Sequence, residues 1–198
     1  RPDEKFVSTD SEEIKNYGKK YNYSYIERPK ELAKPESLTE DVLIHAYEEI
    51  CKTNDKPDLI VLLFANNPAI SIKLLHEGIN FLSENIDYDS AFSVSKYNMF
   101  SPTRARKIEN KQILSFMDLK NFGEVSSIRN SQGDVYFCDL SCQIIRSRVF
   151  ENMNDGMQPF QWMGKKSYPL YNNFGFDIDE EWQRVTIEYW LKNYWEYD

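Results

Sequence analysis

Apolar and polar positions over residues 1–95 alternate between short apolar runs and helical stripes. Phe6–Thr9 predicts a strand. Asp10, with Glu13 three residues on, has the spacing of an N-cap and capping box, which predicts a helix to about Tyr21. Residues 23–26 predict a second strand, and Pro29 and Pro35 bracket a loop. Ser37 and Glu40 repeat the S-x-x-E spacing before a helix with Val42, Leu43, Ala46 and Ile50 on one face. Residues 59–64 are apolar without alternation, the pattern of a central strand buried on both faces. Pro68 precedes a helix carrying Ile72, Leu75, Ile79 and Leu82, and residues 90–95 give the next strand. This βαβαβ order predicts an α/β fold with a doubly wound parallel sheet.

The rhythm loosens from about Lys96. Strand-like segments lie near 113–116, 135–137 and 143–145. Residues 154–166 have the composition of a loop or arm, and residues 175–178 predict a short strand. A closing helix from Glu180 places Val185, Tyr189, Leu191 and Tyr194 in an apolar stripe. No linker, repeat or low-complexity segment interrupts the chain, so a single domain over 1–198 is expected.

Composition narrows the class. The chain has 198 residues, 41% hydrophobic and 28% charged, enough for one α/β core. No run of 18 apolar residues exists, and no basic segment leading into an apolar stretch opens the chain. A spanning helix and a signal peptide are therefore not expected. With 24 basic and 32 acidic residues the formal charge is −8, the wrong sign for a nucleic-acid scaffold. An acidic protein that holds polyphosphate needs local cations or a metal. Three cysteines, Cys51, Cys138 and Cys142, point to a reducing cytoplasm rather than a disulfide framework.

Several groups could carry chemistry. Asp177 and Asp179, at i and i+2 of a strand, would face one spot and suit a hard cation such as Mg²⁺, which binds one or two carboxylates plus substrate phosphates. Alternatively, Asp179 caps the closing helix and Asp177 is a turn residue. Arg28, with Ser37 and Thr39 at a helix start, offers an anion site, or else a surface arginine beside a capped helix. Phe64, Asn66 and Asn67 lie beyond the apolar strand, where ligands of open α/β sheets bind, or form a plain Asn-Pro turn. Lys165 and Lys166 follow Gly164 and could meet an anionic substrate or sit in a solvated turn. His45 and His76 lack a metal-spaced partner, and Cys138 and Cys142 lack a second ligand pair.

Taken in order, these segments resemble the acylneuraminate cytidylyltransferase family, the CMP-sialic acid synthetases and their relatives. The residues that carry the resemblance are Phe6-Val7-Ser8-Thr9-Asp10-Ser11-Glu12-Glu13-Ile14, Arg28-Pro29 with Glu31-Leu32-Ala33, and Asp41-Val42-Leu43-Ile44-His45-Ala46. Leu62-Leu63 with Pro68, and Phe176-Asp177-Ile178-Asp179 with Glu181-Trp182, complete the set. The resemblance implies a Rossmann-like, mostly parallel fold of the nucleotidyltransferase type that moves CMP from CTP to the anomeric hydroxyl of an acidic eight- or nine-carbon sugar, releasing pyrophosphate. It further implies that Asp177 and Asp179 bind the metal, that Arg28 and Thr39 line the nucleotide site, and that residues within 99–168 form a homodimer interface.

Two departures stand out. The family usually carries glutamine, which helps read the sugar, where this chain has Phe64, and small hydroxyl residues near Asn66 and Asn67. The family also opens with a strand and a basic, glycine-containing phosphate loop, whereas this sequence starts where the second strand belongs. The expectation is that residues precede Arg1 and fill a strand slot between Phe6–Thr9 and 59–64. The competing readings are a non-catalytic homologue that binds a sugar or a protein, and a nucleotidyltransferase with another nucleotide or acceptor.

Overall fold

Strand β1 (Phe6–Thr9) runs into helix α1 (Glu12–Lys20) and returns as β2 (Ser24–Glu27). The two strands pair in parallel, from Phe6 opposite Ser24 to Thr9 opposite Glu27. The structure, a computed structural model, describes residues 4–128, 131–175 and 177–195, and of Asn121 the backbone alone. The cap of α1 is Ser11, not Asp10: its hydroxyl accepts from the Ile14 amide at 3.4 Å. The Ser11 amide itself donates to Thr9 Oγ1 at 3.1 Å, which fixes the entry one residue later than the capping-box spacing suggested.

Helix α2 (Thr39–Thr53) starts after Leu38, which offers no capping side chain. Ser37 does not cap it, because its hydroxyl donates to the Glu31 carbonyl at 2.9 Å. The face that α2 buries is set by Leu43 and Tyr47. Tyr47 stacks on Phe150 of the short helix α4 (Ser147–Glu151), ring centroids 5.2 Å apart, and donates to Glu151 Oε1 at 3.1 Å. A tyrosine can be buried here because a carboxylate takes its hydroxyl.

The other strands are β3 (Leu59–Leu62), β4 (Ser90–Lys96), β7 (Tyr136–Arg146) and β8 (Ser167–Asn172), in the order β3-β7-β4-β8. Hydrogen bonds at the strand ends give the directions. Asp89 N–H donates to the Lys166 carbonyl at 2.8 Å, so β4 and β8 start together. Arg146 N–H donates to the Asp89 carbonyl and Ser147 N–H to the Asp58 carbonyl, so β7 runs against both β4 and β3. The fold is thus mixed α/β, and in its central sheet three of the four strands point the same way, with β7 reversed between β3 and β4.

Residues 59–64 do not form a central strand. β3 ends at Leu62, pairs with β7 alone among the described residues, and leaves Val61 37% exposed. β1 and β3 belong to different sheets and do not pair. An unbroken apolar run reports what a strand could bury, not which neighbours it has. The segments at 135–137 and 143–145 are one long strand, β7, kinked by Leu140, whose φ is +58°. The arm at 154–166 is a series of short turns.

Contacts divide the chain into two compact units, residues 1–60, 86–90 and 145–167, and residues 61–85, 91–144 and 168–198. In the second, helix α3 (Ile72–Glu84) buries Leu74, Gly78 and Leu82, a stripe rotated from the one the apolar spacing predicted. The rotation follows from Gly78: a Cβ there would lie 2.6 Å from Ile144 Cδ1 and 3.1 Å from Leu170 Cδ1, so only glycine lets the helix lie this close to β7 and β8. Hairpin β5 (Arg106–Glu109) and β6 (Gln112–Ser115) turns through Asn110 and Lys111, both at positive φ. Two left-handed residues in a two-residue loop match the strand twist.

The closing helix α5 (Glu181–Asn193) buries Ile187, while Val185, Tyr189 and Tyr194 are exposed. The expected stripe is therefore not its packed side. Phe174 stacks on Trp190 at 4.6 Å between centroids and turns the helix accordingly. No helix among the described residues is long and apolar enough to cross a membrane.

Candidate functional site

The second unit gathers its buried polar side chains around Asp139, near the start of β7 and 4% exposed. Ser93 and Ser95 point to one face of β4, two residues apart as strand geometry requires, and both are buried. Oδ1 of Asp139 accepts from Ser93 Oγ, from the Ser141 amide at 3.1 Å and from Ser141 Oγ at 2.7 Å. Oδ2 accepts from Ser95 Oγ at 2.5 Å and from Asn172 Nδ2, at the end of β8, at 3.2 Å. Every one of these donors is neutral. Asp139 and Ser141 are i and i+2 on β7, their side chains meet, and Leu140 between them is left-handed with φ +58°.

Above this cluster lies the segment that carries Asp177. Gly175 allows the approach: a Cβ on it would stand 2.9 Å from Asp139 Cγ and 3.1 Å from Asn172 Nδ2. Tyr97, just past β4, donates its hydroxyl to the Gly175 carbonyl at 3.2 Å and accepts from the Gly175 amide at 3.4 Å. The Ile178 amide donates to the Asn66 carbonyl at 2.9 Å. Asn67 donates its side-chain amide to the Asp139 carbonyl at 2.6 Å and to Asp177 Oδ1 at 3.2 Å. These groups follow the carboxyl ends of β3, β4 and β8, which is where open α/β sheets bind ligands.

Asp177 is half-buried and its carboxyl is pushed above the usual range. Burial is the main cause, the Asn67 hydrogen bond works against it, and the charges of Asp179 and Asp139 add to it. Asp179 is exposed. Its amide and that of Glu180 both donate to Gln183 Oε1, at 2.8 and 2.6 Å, as part of the box that opens α5 at Glu180. Gly175 and residues 177–179 lie outside any strand, and Phe176 is outside the described residues. The two aspartates are therefore not presented by the i and i+2 geometry of a strand. The glycine approach and the helix cap shape the segment instead.

The remaining sequence candidates are placed as follows. Phe64 is half-buried, and its carbonyl accepts from the Asn67 amide at 3.1 Å, closing the turn. Asn66 is exposed, whereas Asn67 is 1% exposed and its amino group is used on protein atoms. Arg28, Ser37 and Thr39 are in the first unit. Arg28 donates from Nη2 to the Ser8 carbonyl at 2.7 Å, and Thr39 is exposed at the first turn of α2. Lys165 and Lys166, also in the first unit, form ion pairs with Asp155 at 2.9 Å and with Asp87. Asp139, Ser93, Ser95, Tyr97 and Asn172 were missed. Their signal was available: alternating serines in an otherwise apolar strand, and an ionisable residue inside the run 138–145.

Among the described residues no three His, Cys, Asp or Glu side chains converge as a metal-holding group. A Mg²⁺ that arrives with a nucleotide needs only one or two protein carboxylates. Asp177 fits that role: Oδ1 is held by Asn67, and no protein group among the described residues binds the other oxygen.

No family model matches this sequence, and no curated protein matches it. Solved structures do. A CMP:2-keto-3-deoxy-manno-octonic acid synthetase complexed with CTP superposes with a TM-score of 0.59 and 11% identity, covering 96% of this chain and 80% of its own. A putative glucose-1-phosphate thymidylyltransferase from Bacillus anthracis, in complex with a sucrose, gives a TM-score of 0.53 and 12% identity, covering 98% and 78%. Both show that the chain has a nucleotidyltransferase-like fold.

Proposed function

We propose that this protein transfers CMP from CTP to the anomeric hydroxyl of an acidic eight- or nine-carbon sugar, releasing pyrophosphate. The observation that carries the reading is the half-buried Asp177 carboxylate held by Asn67 beside Asp139 at the strand ends, in a fold similar to a synthetase that was solved with CTP. Asp177, with Asp179 beside it, would hold Mg²⁺, which supplies charge neutralisation at the reacting phosphate. The chain's own contribution is geometric. Asn67, Tyr97 and Asn66 fix the Asp177 segment, and Gly175 lets it close on Asp139. Phe64 offers no side-chain hydrogen bond to an acceptor sugar, so it would shape that sugar's site by contact alone.

The same reading takes the protein as a homodimer built through residues within 99–168. The β5–β6 hairpin supports this, because Ile108 and Ile113 pair across it while 69% and 74% exposed. A mass near 23.5 kDa in light scattering would overturn the dimer. The transfer itself is tested by pyrophosphate release from CTP with Mg²⁺ and 2-keto-3-deoxy-octonate or sialic acid. Release with either sugar, lost in Asp177→Asn, is expected, and no release with any nucleotide overturns it.

One observation favours a non-catalytic sugar- or protein-binding homologue. Lys165 and Lys166, expected on the anionic substrate, are engaged with Asp155 and Asp87. Calorimetry separates the two readings: Mg²⁺-dependent CTP binding supports transfer, and sugar binding without CTP binding supports the alternative.

A further inference from the structure

We propose that Asn67 is a positioning residue that fixes the Asp177 carboxylate, an inference that rests on the nucleotide-transfer reading above. Asn67 sits between two exposed neighbours, Asn66 and Pro68, yet is itself 1% exposed. Both uses of its amino group are internal, one to the Asp139 carbonyl and one to Asp177 Oδ1. Its own carbonyl oxygen is buried without a hydrogen-bond partner. A buried amide with an unpaired end is a cost that volume alone does not justify, since leucine fills similar space with no polar atom to strand. The donors are what the position requires.

The other clamps act on the backbone of the same segment. Tyr97 holds Gly175, and the Asn66 carbonyl holds the Ile178 amide. Among the described residues only Asn67 grips the carboxylate. It joins Asp177 to the β7 backbone at Asp139, a residue fixed in turn by Ser93, Ser95, Ser141 and Asn172. Losing the grip frees the carboxylate and loosens the backbone that carries it between the clamps at Gly175 and Ile178, and a misplacement of about 1 Å at a reacting group can cost about a hundredfold in rate. Asn67 thus acts through Asp177 and not on substrate.

The test compares wild type with Asn67→Leu in two readouts. Pyrophosphate release is expected to lose kcat by about tenfold to a hundredfold, with KM for CTP within about twofold. Hydrogen exchange is expected to quicken in residues 175–178 while β7 and α3 keep their protection. Unchanged exchange in 175–178 overturns the tether. Faster exchange with wild-type kcat overturns the positioning role, and so does a loss of protection throughout β7 and α3. Should Asn67→Leu fail to fold, Asn67→Ser, which keeps one hydroxyl donor, must show a smaller version of the same split. In an Asp177→Ala background, Asn67→Leu should have no further effect on transfer. A wild type that transfers nothing sinks the function proposed above and leaves the exchange readout to decide the tether.

Discussion

Asp89 in the first unit and Asp139 in the second are both largely enclosed carboxylates, and they are satisfied in opposite ways. Asp89 accepts from Arg148 Nε at 2.9 Å and from the amides of Lys165 and Lys166 at 2.8 and 3.1 Å. Arg148 spends its other nitrogens on the Ile86 and Tyr88 carbonyls, at 2.8 and 2.9 Å. Burial pulls the Asp89 pKa up, but the Lys165 amide, the Arg148 guanidinium and the Lys166 amide outweigh it, and the pKa is lowered. Asp139 receives only hydroxyl and amide donors, and its neighbour Asp177 is held above its usual range. In the first case the charge is matched within the protein. In the second, the carboxylates meet neutral donors and one another among the described residues, which supports the proposal that a cation completes the site.

The largest effect should come from breaking the second cluster. Asp139→Ala strands the donors of Ser93, Ser95, Ser141 and Asn172, each at about 1–3 kcal/mol less whatever water recovers. A net loss of about 4 kcal/mol is expected in denaturant unfolding. A loss under about 1 kcal/mol would show that the cluster is solvated and not a fixed platform.

Asp177→Asn should divide function from stability. Transfer falls by at least about a hundredfold, on the order of 3 kcal/mol of transition-state stabilisation. Thermal unfolding at neutral pH stays level or rises, because a desolvated charge beside Asp179 and Asp139 is removed. Retained transfer would reduce Asp177 to a turn residue.

Arg148→Lys tests the first cluster. A lysine cannot reproduce three bonds from one planar fork, so it should cost nearly as much as Arg148→Ala, about 1–2 kcal/mol each. Full rescue by lysine would mean that charge alone, not fork geometry, closes the clasp.

What the sequence disclosed follows the same division. Strands β1 and β4 and helices α2 and α3 were legible from period and apolar content, because local pattern decides them. The edge position of β3 was not, since Leu59–Leu62 reads the same whether one neighbour or two are present. Asp177 was legible as a candidate, but its presentation was not. That depends on Gly175 against Asp139 and on Asn67, contacts spanning 36 and 110 residues of chain. Asp139 was overlooked because a carboxylate amid Cys138, Leu140 and Cys142 stands out only when the serines of β4 are known to face it.

The smallest effect, and the one that sharpens the contrast most, lies in pH. Asp89 has a lowered folded pKa, so its contribution to stability is present above the unfolded value of about 3.9 and disappears as pH falls through the lower folded value. Asp177 has a raised folded pKa, so its contribution is present below about 3.9 and is lost as pH rises through the higher folded value. The two groups therefore tilt the stability curve in opposite directions on either side of about pH 4. Asp179 and Asp139 are charges that face Asp177, and Arg148 and Arg146 face Asp89. Difference curves against wild type cancel the many exposed carboxylates common to both proteins. Asp177→Asn minus wild type should shrink as pH falls from 7 towards 4, as the wild-type carboxyl takes up its proton at its raised folded value. Arg148→Ala minus wild type should stay constant over that range and shrink below about pH 4, where Asp89 no longer carries charge. Melting temperatures at pH 3, 4, 5 and 7 read both. Parallel curves for Asp177→Asn and wild type between pH 7 and 4 would mean that Asp177 titrates as a surface carboxylate. The unmatched charge that distinguishes the second cluster from the first would then not exist.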